Sequence, residues 1–331
     1  MKTLRYLLFV ALAALLLWLA FRGTDPKELW SSLANADYRF VLLSMAMGYV
    51  AYISRGLRWL LLLDSMGHRA HPWSSIHAVA VGYFANMAVP RAGELARCTA
   101  LNRMERIPVA KLFGTVILER AVDFLMLFSF VAAVLLTSYD DFMAFYQKAS
   151  GSGNTEEASA SGSPLWMFIL IGMTLVVGLF FLFRNKILQH PLWAKVRSFL
   201  SGIREGLQTI VHMKKKGLFI LHTLIIWTMY FLMVYICIFA IPETAELSLA
   251  NMLFVMVAAG MGMVVPVPGG VGAYHYLVVL SLGLLGINDT VGLSFATLVH
   301  SGQAIMGIVT GLIALLFMYL RTRKMPLTDV G

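Results

Sequence analysis

Long apolar runs, separated by short loops in which basic residues cluster, limit what this chain can fold into. Of its 331 residues, 59% are hydrophobic and only 13% are charged, and the mean hydropathy is +0.78. A soluble domain is usually about 45–50% apolar, so the sequence predicts an all-α polytopic membrane protein. The formal net charge of +9 resides mainly in the loops, as membrane topology requires. We therefore expect no nucleic-acid partner.

About six full transmembrane helices are predicted, because the longest apolar runs approach or exceed the length that crosses about 30 Å of hydrocarbon. The predicted spans are residues 6–21, 40–63, 112–137, 165–183, 217–241 and 292–320. The first is predicted to be retained, since Trp18-Leu19-Ala20 is a poor small-residue cleavage site. Together the spans predict a single transmembrane domain over residues 1–331.

The loops between the spans differ in charge, and this predicts their sides of the membrane. Residues 138–163 combine four acidic residues with Ser/Gly-rich sequence, which cannot bury enough apolar surface to fold. They predict a flexible external loop. Residues 184–216 contain eight Lys/Arg residues and predict a cytoplasmic loop able to contact anionic lipid. With these assignments both chain termini are predicted to be cytoplasmic.

The pattern Met-x-Val-Pro-x-x-Gly occurs twice, at 87–93 and at 263–269. Proline removes a backbone donor and breaks a helix, so each copy predicts a broken re-entrant hairpin, with Pro90, Gly93, Pro266 and Pro268 at the breaks. The loop charges make the two hairpins enter from opposite sides. This is typical of an inverted-repeat transporter, with halves at about 40–137 and 217–320. The alternative is that the two proline breaks arose in unrelated hairpins.

Charged residues cluster around the first break and in the span after it. The cluster comprises Arg91, Glu94, Arg97, Glu119, Arg120 and Asp123. A charge at the bilayer centre costs about 2.5–3.5 kcal/mol, so these side chains must face protein or water and pair. Glu119 and Asp123 lie four residues apart on one helix face, where like charges repel unless an arginine lies between them.

Two interpretations of the cluster stay open at this point. It is either a self-neutralising network that pins the hairpin, or a set of arginines held ready for an anionic headgroup, whose phosphate oxygens match a guanidinium bidentately. Arg55 and Arg58, three residues apart in the second span, either snorkel to the interface or join this site. Glu119 and Asp123 would be metal ligands or bases only in an enzyme, and no catalytic, metal-binding or cofactor-binding motif is present.

The second break is rich in glycine where the first is charged. Gly269, Gly270 and Gly272 permit the bent backbone of an anion-binding nest. His275 follows this turn and His300 lies in the last span. A histidine in such a place could relay a proton, because imidazole titrates near neutral pH. The alternative is that each is a hydrogen-bonded packing group.

Three motifs in this order resemble the flippase-like transmembrane domain of lysylphosphatidylglycerol synthases and its stand-alone relatives. They are Val-Pro-Arg-Ala-Gly-Glu-Leu-Ala-Arg at 89–97, Glu119-Arg120 with Asp123, and Pro-Gly-Gly-Val-Gly at 268–272. The resemblance covers nearly the whole chain. The residues it carries over are Pro90, Arg91, Gly93, Glu94, Arg97, Glu119, Arg120, Asp123, Pro268, Gly269, Gly270 and Gly272.

The resemblance implies a multi-pass protein of a bacterial or archaeal cytoplasmic membrane. It also implies a link to moving lipids between leaflets, or to polyprenyl-linked glycans and hopanoids. His275 departs from the acidic residue that the family often has shortly after the Pro-Gly-Gly turn. The aminoacyl-transferring domain of the full synthases is absent from this sequence, so we expect that the chain cannot itself attach lysine to a lipid.

We therefore predict a lipid transporter that moves an anionic or aminoacylated phospholipid, or a polyprenyl-phosphate lipid, between leaflets. Arg91, Arg97 and Arg120 are predicted to contact the phosphate, and Glu94, Glu119 and Asp123 to orient them. Membrane lipids are the expected partners, and a lipid- or glycan-modifying enzyme is a further candidate. The alternatives are a membrane-embedded enzyme acting on lipid phosphate, and a non-catalytic scaffold for a lipid or glycan synthase.

Overall fold

The structure, a computed structural model, describes residues 2–22, 24–149 and 213–323. These ranges are almost entirely helical, which confirms the all-α prediction. The α-helices described are α1 (Lys2–Phe21), α2 (Pro26–Ala34), α3 (Tyr38–Ser65), α4 (Pro72–Ala88), α5 (Gly93–Glu105), α6 (Val109–Thr137), α7 (Tyr139–Ala149), α8 (Lys216–Tyr235), α9 (Leu249–Val264), α10 (Ala273–Leu284) and α11 (Asp289–Arg323). Short 3₁₀ turns cover Ile236–Ala240, Pro242–Thr244 and Pro268–Gly270.

Four of the described helices are long and apolar enough to cross a membrane. They are α3, α6, α8 with its 3₁₀ extension to Ala240, and α11, and they confirm four of the predicted spans. Helix α1 covers the predicted span 6–21, and its apolar part Val10–Phe21 is shorter. The predicted span 165–183 and residues 184–212 of the predicted basic loop lie outside the described residues. The chain is a polytopic membrane protein.

The same order of helices occurs twice. A long helix, a short helix, a break, a second short helix and another long helix form both α3–α6 and α8–α11. The offset from Gly93 to Ala273, where the short helices after each break begin, equals that from Val109 to Asp289, where the long ones begin. The two proline motifs have a slightly smaller offset, because the first connection, residues 89–92, is shorter than the second, residues 265–272.

Equivalent helices α3 and α8 lie side by side and run in opposite directions. Ser44 Oγ donates to the Met233 carbonyl oxygen at 2.8 Å, and Ser54 Oγ lies 2.8 Å from His222 Nδ1. Residue numbers therefore rise along one helix as they fall along the other. Opposed equivalent helices are what an inverted repeat predicts.

The long helices that end each half are opposed in the same way. Arg55 bonds to Asp123 and Trp59 bonds to Thr115, so α6 runs antiparallel to α3. Helix α11 runs parallel to α3, as two close contacts along the pair establish: Gly302 with Val41, and Gly48 with Met306. Helices α6 and α11 therefore point in opposite directions, as α3 and α8 do.

The two broken hairpins are α4–α5 and α9–α10. Each packs on the long helix that ends the other half. Phe84 of α4 lies against Gly311 of α11, where a Cβ would be 2.7 Å from the ring carbon Cγ, and a Cβ on Gly260 of α9 would lie 3.9 Å from Leu127 Cδ1 of α6. The two breaks also meet: α4 packs against the Pro268–Gly270 turn. This exchange brings the two proline motifs into contact: a Cβ on Gly269 would lie 3.8 Å from Met87 Cα.

The prediction of a flexible loop over 138–163 is wrong for its first part. Tyr139–Ala149 forms helix α7, in which Asp140 and Asp141 occupy the first turn, where carboxylates favour a helix. Phe145 is buried, and its ring lies edge-on to Phe254 at 5.6 Å. The loop prediction gave too much weight to the Ser/Gly-rich sequence that follows, and missed an apolar segment that packs on the second half. Residues 150–163 lie outside the described residues.

Candidate functional site

An ion-pair network connects α3, α5 and α6 beside the first break. Its members are Arg55, Arg58, Glu94, Arg97, Glu119, Arg120 and Asp123. All except Arg120 and Glu94 are buried. The structure thus brings together predicted site residues from three helices of the first half.

Asp123 is held by two arginines from the preceding span. Arg55 Nη1 donates to Asp123 Oδ2 at 2.8 Å, and Arg58 Nη2 donates to Oδ1 at 2.9 Å. Arg120 Nη1 lies 3.6 Å from Oδ2. Because Arg55 and Arg58 are only 2% and 0% exposed, the snorkelling interpretation of these arginines is wrong. They point into the helix bundle.

Glu119 is the most enclosed carboxylate of the network, with a side-chain exposure of 0%. Its Oε2 lies 2.7 Å from Arg97 Nη2, and its Oε1 lies 3.7 Å from Arg58 Nε. Glu119 is therefore held between two guanidinium groups, mainly by its close ion pair with Arg97.

The network is open at Arg120 and Glu94. Arg120 Nε lies 3.0 Å from Glu94 Oε1, and Arg97 Nε lies 3.1 Å from Glu94 Oε2. The Arg120 side chain is 47% exposed and that of Glu94 is 29% exposed. Arg120 lies well inside the 29-residue helix α6. An exposed guanidinium near the middle of a membrane-length helix must face water or polar headgroups, because exposure to lipid chains is costly.

Four arginines meet three carboxylates in this network, so its formal charge is +1. No further carboxylate joins it from the described residues. The most exposed member is Arg120, whose side chain is 47% exposed. An anion that meets Arg120 would bring the charge of the network to zero, as the second interpretation of the cluster requires.

A tyrosine cluster that the sequence did not reveal holds Arg55. Tyr230 Oη accepts from Arg55 Nε at 3.3 Å and from Nη2 at 3.1 Å. Tyr83 Oη lies 2.7 Å from Tyr230 Oη, and Tyr52 stacks on Tyr83 with ring centroids 4.2 Å apart. The three phenols come from α3, α4 and α8. They join the first half to the second at the edge of the network.

Two further contacts fix the other buried arginines. Arg58 Nη1 donates to Thr223 Oγ1 at 3.2 Å, and the Arg97 guanidinium lies 4.9 Å from the centre of the Trp59 ring. Thr115 Oγ1 accepts from Trp59 Nε1 at 2.7 Å and fixes the ring. Single Tyr, Trp and Thr residues in apolar helices have no distinguishing pattern in one sequence, which is why sequence reasoning missed them.

Arg91 lies apart from the network. It is exposed, has a left-handed backbone with φ of 62°, and forms no ion pair with any described residue. Pro90 precedes it in the connection between α4 and α5, and α5 begins at Gly93, whose N–H donates to Asn86 Oδ1 at 2.7 Å. A Cβ on Gly93 would strike the Gly82 carbonyl oxygen. The close approach of α4 and α5 therefore requires glycine here.

The backbone of the second break adopts left-handed conformations at its three glycines. Gly269, Gly270 and Gly272 have φ values of 60°, 78° and 83°, in the left-handed region that favours glycine. Pro266 and Pro268 lie in the same connection, between α9 and α10. Helix α1 crosses the turn, and a Cβ on Gly272 would meet its backbone.

A neutral polar cluster follows the second break. Tyr274, His275 and His300 are 2%, 6% and 7% exposed, and the His300 ring lies 4.8 Å from the Tyr274 ring and 5.0 Å from the His275 ring. Tyr274 Oη and the Nδ1 atoms of both histidines have no hydrogen-bond partner among the described residues. If both histidines were hydrogen-bonded packing groups, their Nδ1 atoms would be expected to have partners. The described residues supply none.

The offset between the two halves relates this neutral cluster to the charged network. The starts of α5 and α10, and those of α6 and α11, share one offset in residue number. Applied to the polar residues, this offset pairs Glu94 with Tyr274 and Arg120 with His300. The Glu94–Arg120 ion pair in the first half thus corresponds to the Tyr274–His300 ring contact in the second. The two halves place interacting polar side chains at equivalent positions and differ in charge.

Comparison with protein-family models assigns the chain to a family. The family model of the lysylphosphatidylglycerol synthase transmembrane region matches residues 6–311, nearly the whole chain. The chain belongs to this family. The matched range contains both breaks, the ion-pair network and the neutral cluster.

The curated proteins that this chain resembles are distant from it in sequence. Glycosyltransferase AglD of Haloferax volcanii is 25% identical over 318 residues, which cover 87% of this chain and 50% of AglD. A UPF0104 membrane protein of Methanothermobacter thermautotrophicus is 23% identical over 301 residues, 85% of each chain. A second one, of Methanocaldococcus jannaschii, is 27% identical over 120 residues, 35% of each. No solved structure matches the chain.

Proposed function

We propose that this protein moves lipids with an anionic headgroup between the two leaflets of the cytoplasmic membrane. The headgroup binds at the open side of the ion-pair network, beside Arg120, while the hydrocarbon chains stay in the bilayer. The single observation that carries the proposal is the excess positive charge of the network, four arginines to three carboxylates, with a half-exposed arginine at mid-helix. Both chain termini lie in the cytoplasm in this proposal.

A phosphate diester supplies the charge that the network lacks. Its oxygens accept two parallel bonds from a guanidinium, and Arg120 is the arginine with an exposed fork. Arg55, Arg58 and Arg97 are buried and act indirectly. They pair with Asp123 and Glu94, the two carboxylates that contact Arg120 and orient it. This assignment replaces direct phosphate contact by Arg97. Arg91, exposed on the connection, can meet the headgroup only on its way in or out.

The opposed halves support transport rather than static binding. In inverted-repeat transporters the site lies where two broken helices meet, and one repeat moves against the other around it. Here the two breaks touch, and each hairpin rests on the closing helix of the other half. Movement of one hairpin would open Arg120 to one leaflet or to the other.

The substrate classes that fit share a phosphate attached to long hydrocarbon. They are anionic or aminoacylated phospholipids and polyprenyl-phosphate lipids. The family description points to phosphatidylglycerol and its lysyl ester. The glycosyltransferase name of the AglD relative keeps glycan-bearing lipids among the candidates, and also a glycan- or lipid-modifying enzyme as a partner.

The enzyme alternative would need Glu119 or Asp123 to bind a metal ion or to accept a proton. Both carboxylates are instead occupied by guanidinium groups, so the network geometry favours headgroup binding. The scaffold alternative would place the function in the basic 184–216 loop. Deleting residues 184–212 of that loop, ahead of Met213 and Lys215, is expected to leave lipid transfer intact.

Transfer of a fluorescent lipid in proteoliposomes tests the proposal. Wild-type protein is expected to move labelled phosphatidylglycerol faster than labelled phosphatidylcholine. Arg120→Gln is expected to lower the phosphatidylglycerol rate at least about tenfold, because charge-assisted bonds to a guanidinium typically contribute about 1.5–3 kcal/mol. Arg103→Gln, which removes an exposed arginine of α5 outside the network, is the control. Equal rates for Arg120→Gln and the wild type would refute the assignment.

A further inference from the structure

A groove lies outside the ion-pair network, at the far end of α3. The groove has a volume of about 360 Å³ and is bounded by the end of α3, the turn that follows it and the start of α8. Its lining includes Leu57, Leu60, Leu61, Arg69 and Lys215. Small-ligand sites begin at about 300 Å³, so the groove accepts a headgroup and the start of an acyl chain.

One wall of the groove is apolar. Leu60 and Leu61 follow Leu57 by about one turn of α3, and all three are only partly buried, so their side chains remain open to a ligand. A free phosphate ion would gain nothing from this wall. A hydrocarbon chain that begins beside a phosphate would pack against it.

The other wall is basic. Arg69 is exposed and forms no ion pair with a described residue. Lys215 has a single pair, with Asp64 at 3.3 Å, and both side chains are about half exposed, so the pair is weak and exchangeable. Lys214 and Lys216 flank Lys215 and are exposed as well.

One further feature points at an anion. Helix α8 begins at Lys216 without a side-chain cap, so its first-turn N–H groups add partial positive charge beside the groove. His222 is fixed by Ser54 Oγ at 2.8 Å from its Nδ1.

We propose that this groove binds the phosphate of an anionic phospholipid, with the basic wall holding the headgroup and the leucine wall holding the first methylenes of a chain. Basic pockets between transmembrane helices are recognised sites for anionic headgroups. This site is distinct from the network, because Ser54–His222 and Arg58–Thr223 contacts close the α3–α8 seam between them. The inference does not depend on lipid transfer.

Lipid titration followed by native mass spectrometry tests the groove on the full-length protein. Wild-type protein is expected to bind added phosphatidylglycerol more tightly than phosphatidylcholine. Added to Arg120→Gln, so that the network does not contribute, the Arg69→Gln/Lys215→Gln changes are expected to weaken phosphatidylglycerol binding about 10- to 30-fold, since each basic residue near such a site contributes about fivefold. Arg39→Gln/Arg103→Gln removes two exposed arginines elsewhere and is the matched control.

The source of the phosphate is tested in the same experiment. Leu57→Ser is expected to weaken phosphatidylglycerol binding, and millimolar inorganic phosphate is expected not to displace the lipid. An equal loss in the control variant, or no preference for phosphatidylglycerol in the wild type, would overturn the proposal. Displacement by inorganic phosphate with no effect of Leu57→Ser would overturn the assignment of a lipid. All replaced side chains are half-buried or exposed, and thermal unfolding of each variant verifies that it is folded.

Discussion

Asp123→Asn is expected to lower the free energy of unfolding by about 3–5 kcal/mol, the usual cost of removing one partner from a buried ion pair. The carboxylate neutralises two arginines at 2.8 and 2.9 Å, and both guanidiniums are enclosed by α3, α6 and α8. Asparagine keeps the shape but leaves two positive charges buried beside each other. The unfolding midpoint of the detergent-solubilised protein in a denaturant titration measures the loss.

Asp64→Asn is the matched control for this substitution. Asp64 also pairs with a basic residue, Lys215, but its side chain is 49% exposed, so its loss should cost no more than about 1 kcal/mol. Equal shifts for the two variants would mean that the network around Asp123 is hydrated and weak. That result would contradict the electrostatic account of the first half.

Gly272→Ala is expected to destabilise the second break by about 2–5 kcal/mol, the sum of a conformational and a packing cost. Its φ of 83° is strained for a residue with a side chain, which costs about 1–2 kcal/mol. The added Cβ would also strike the Ala13 carbonyl oxygen and lie 2.7 Å from the Leu17 nitrogen of α1. Overpacking against these atoms costs about 1–3 kcal/mol more, because backbone atoms of a helix cannot move to a new rotamer as a side chain can.

Gly286→Ala separates the two contributions. Gly286 has the same φ of 83°, but a Cβ there would meet no atom within 4 Å. The control should therefore lose only the conformational part, about 1–2 kcal/mol. Hydrogen exchange of α1 should increase in Gly272→Ala and stay unchanged in Gly286→Ala. Unchanged exchange in both variants would mean that α1 does not press on the break.

Several features of the fold followed from local physical signals in the sequence. Membrane-length apolar runs predicted α3, α6, α8 and α11, because length and hydropathy alone decide whether a helix spans lipid. The repeated proline pattern predicted the breaks, since proline and left-handed glycine constrain the backbone wherever they occur. The opposed halves followed from the charges of short loops.

Other features depended on contacts that no single segment encodes. Arg91 and Arg97 carry the same charge close together in the chain, yet Arg97 is buried against Trp59 and Arg91 is exposed on a left-handed turn. Tyr230 accepts a hydrogen bond from Arg55, although the two residues are 175 positions apart in the sequence. Only the packing of α8 on α3 brings them together, and periodicity in either helix cannot predict that partner.

Helix α7 illustrates a different limit. Its two aspartates and the Ser/Gly-rich sequence after it indicated an unfolded loop, although seven of its 11 residues are hydrophobic. The fold supplies the missing surface, because Phe145 packs against Phe254 of the second half. An amphipathic helix of 11 residues is stable only through such tertiary contacts.

The central claim is that an anionic headgroup completes a network whose charge is +1. Native mass spectrometry of gently extracted protein, in the Arg69→Gln/Lys215→Gln background, measures the anionic lipid retained by the network alone. Arg120→Gln lowers the network charge to zero and should reduce retention, whereas Glu94→Gln raises it to +2 and should increase retention. A purely structural network predicts that both substitutions act alike. A parallel fall in both variants, or no change in either, would contradict the account.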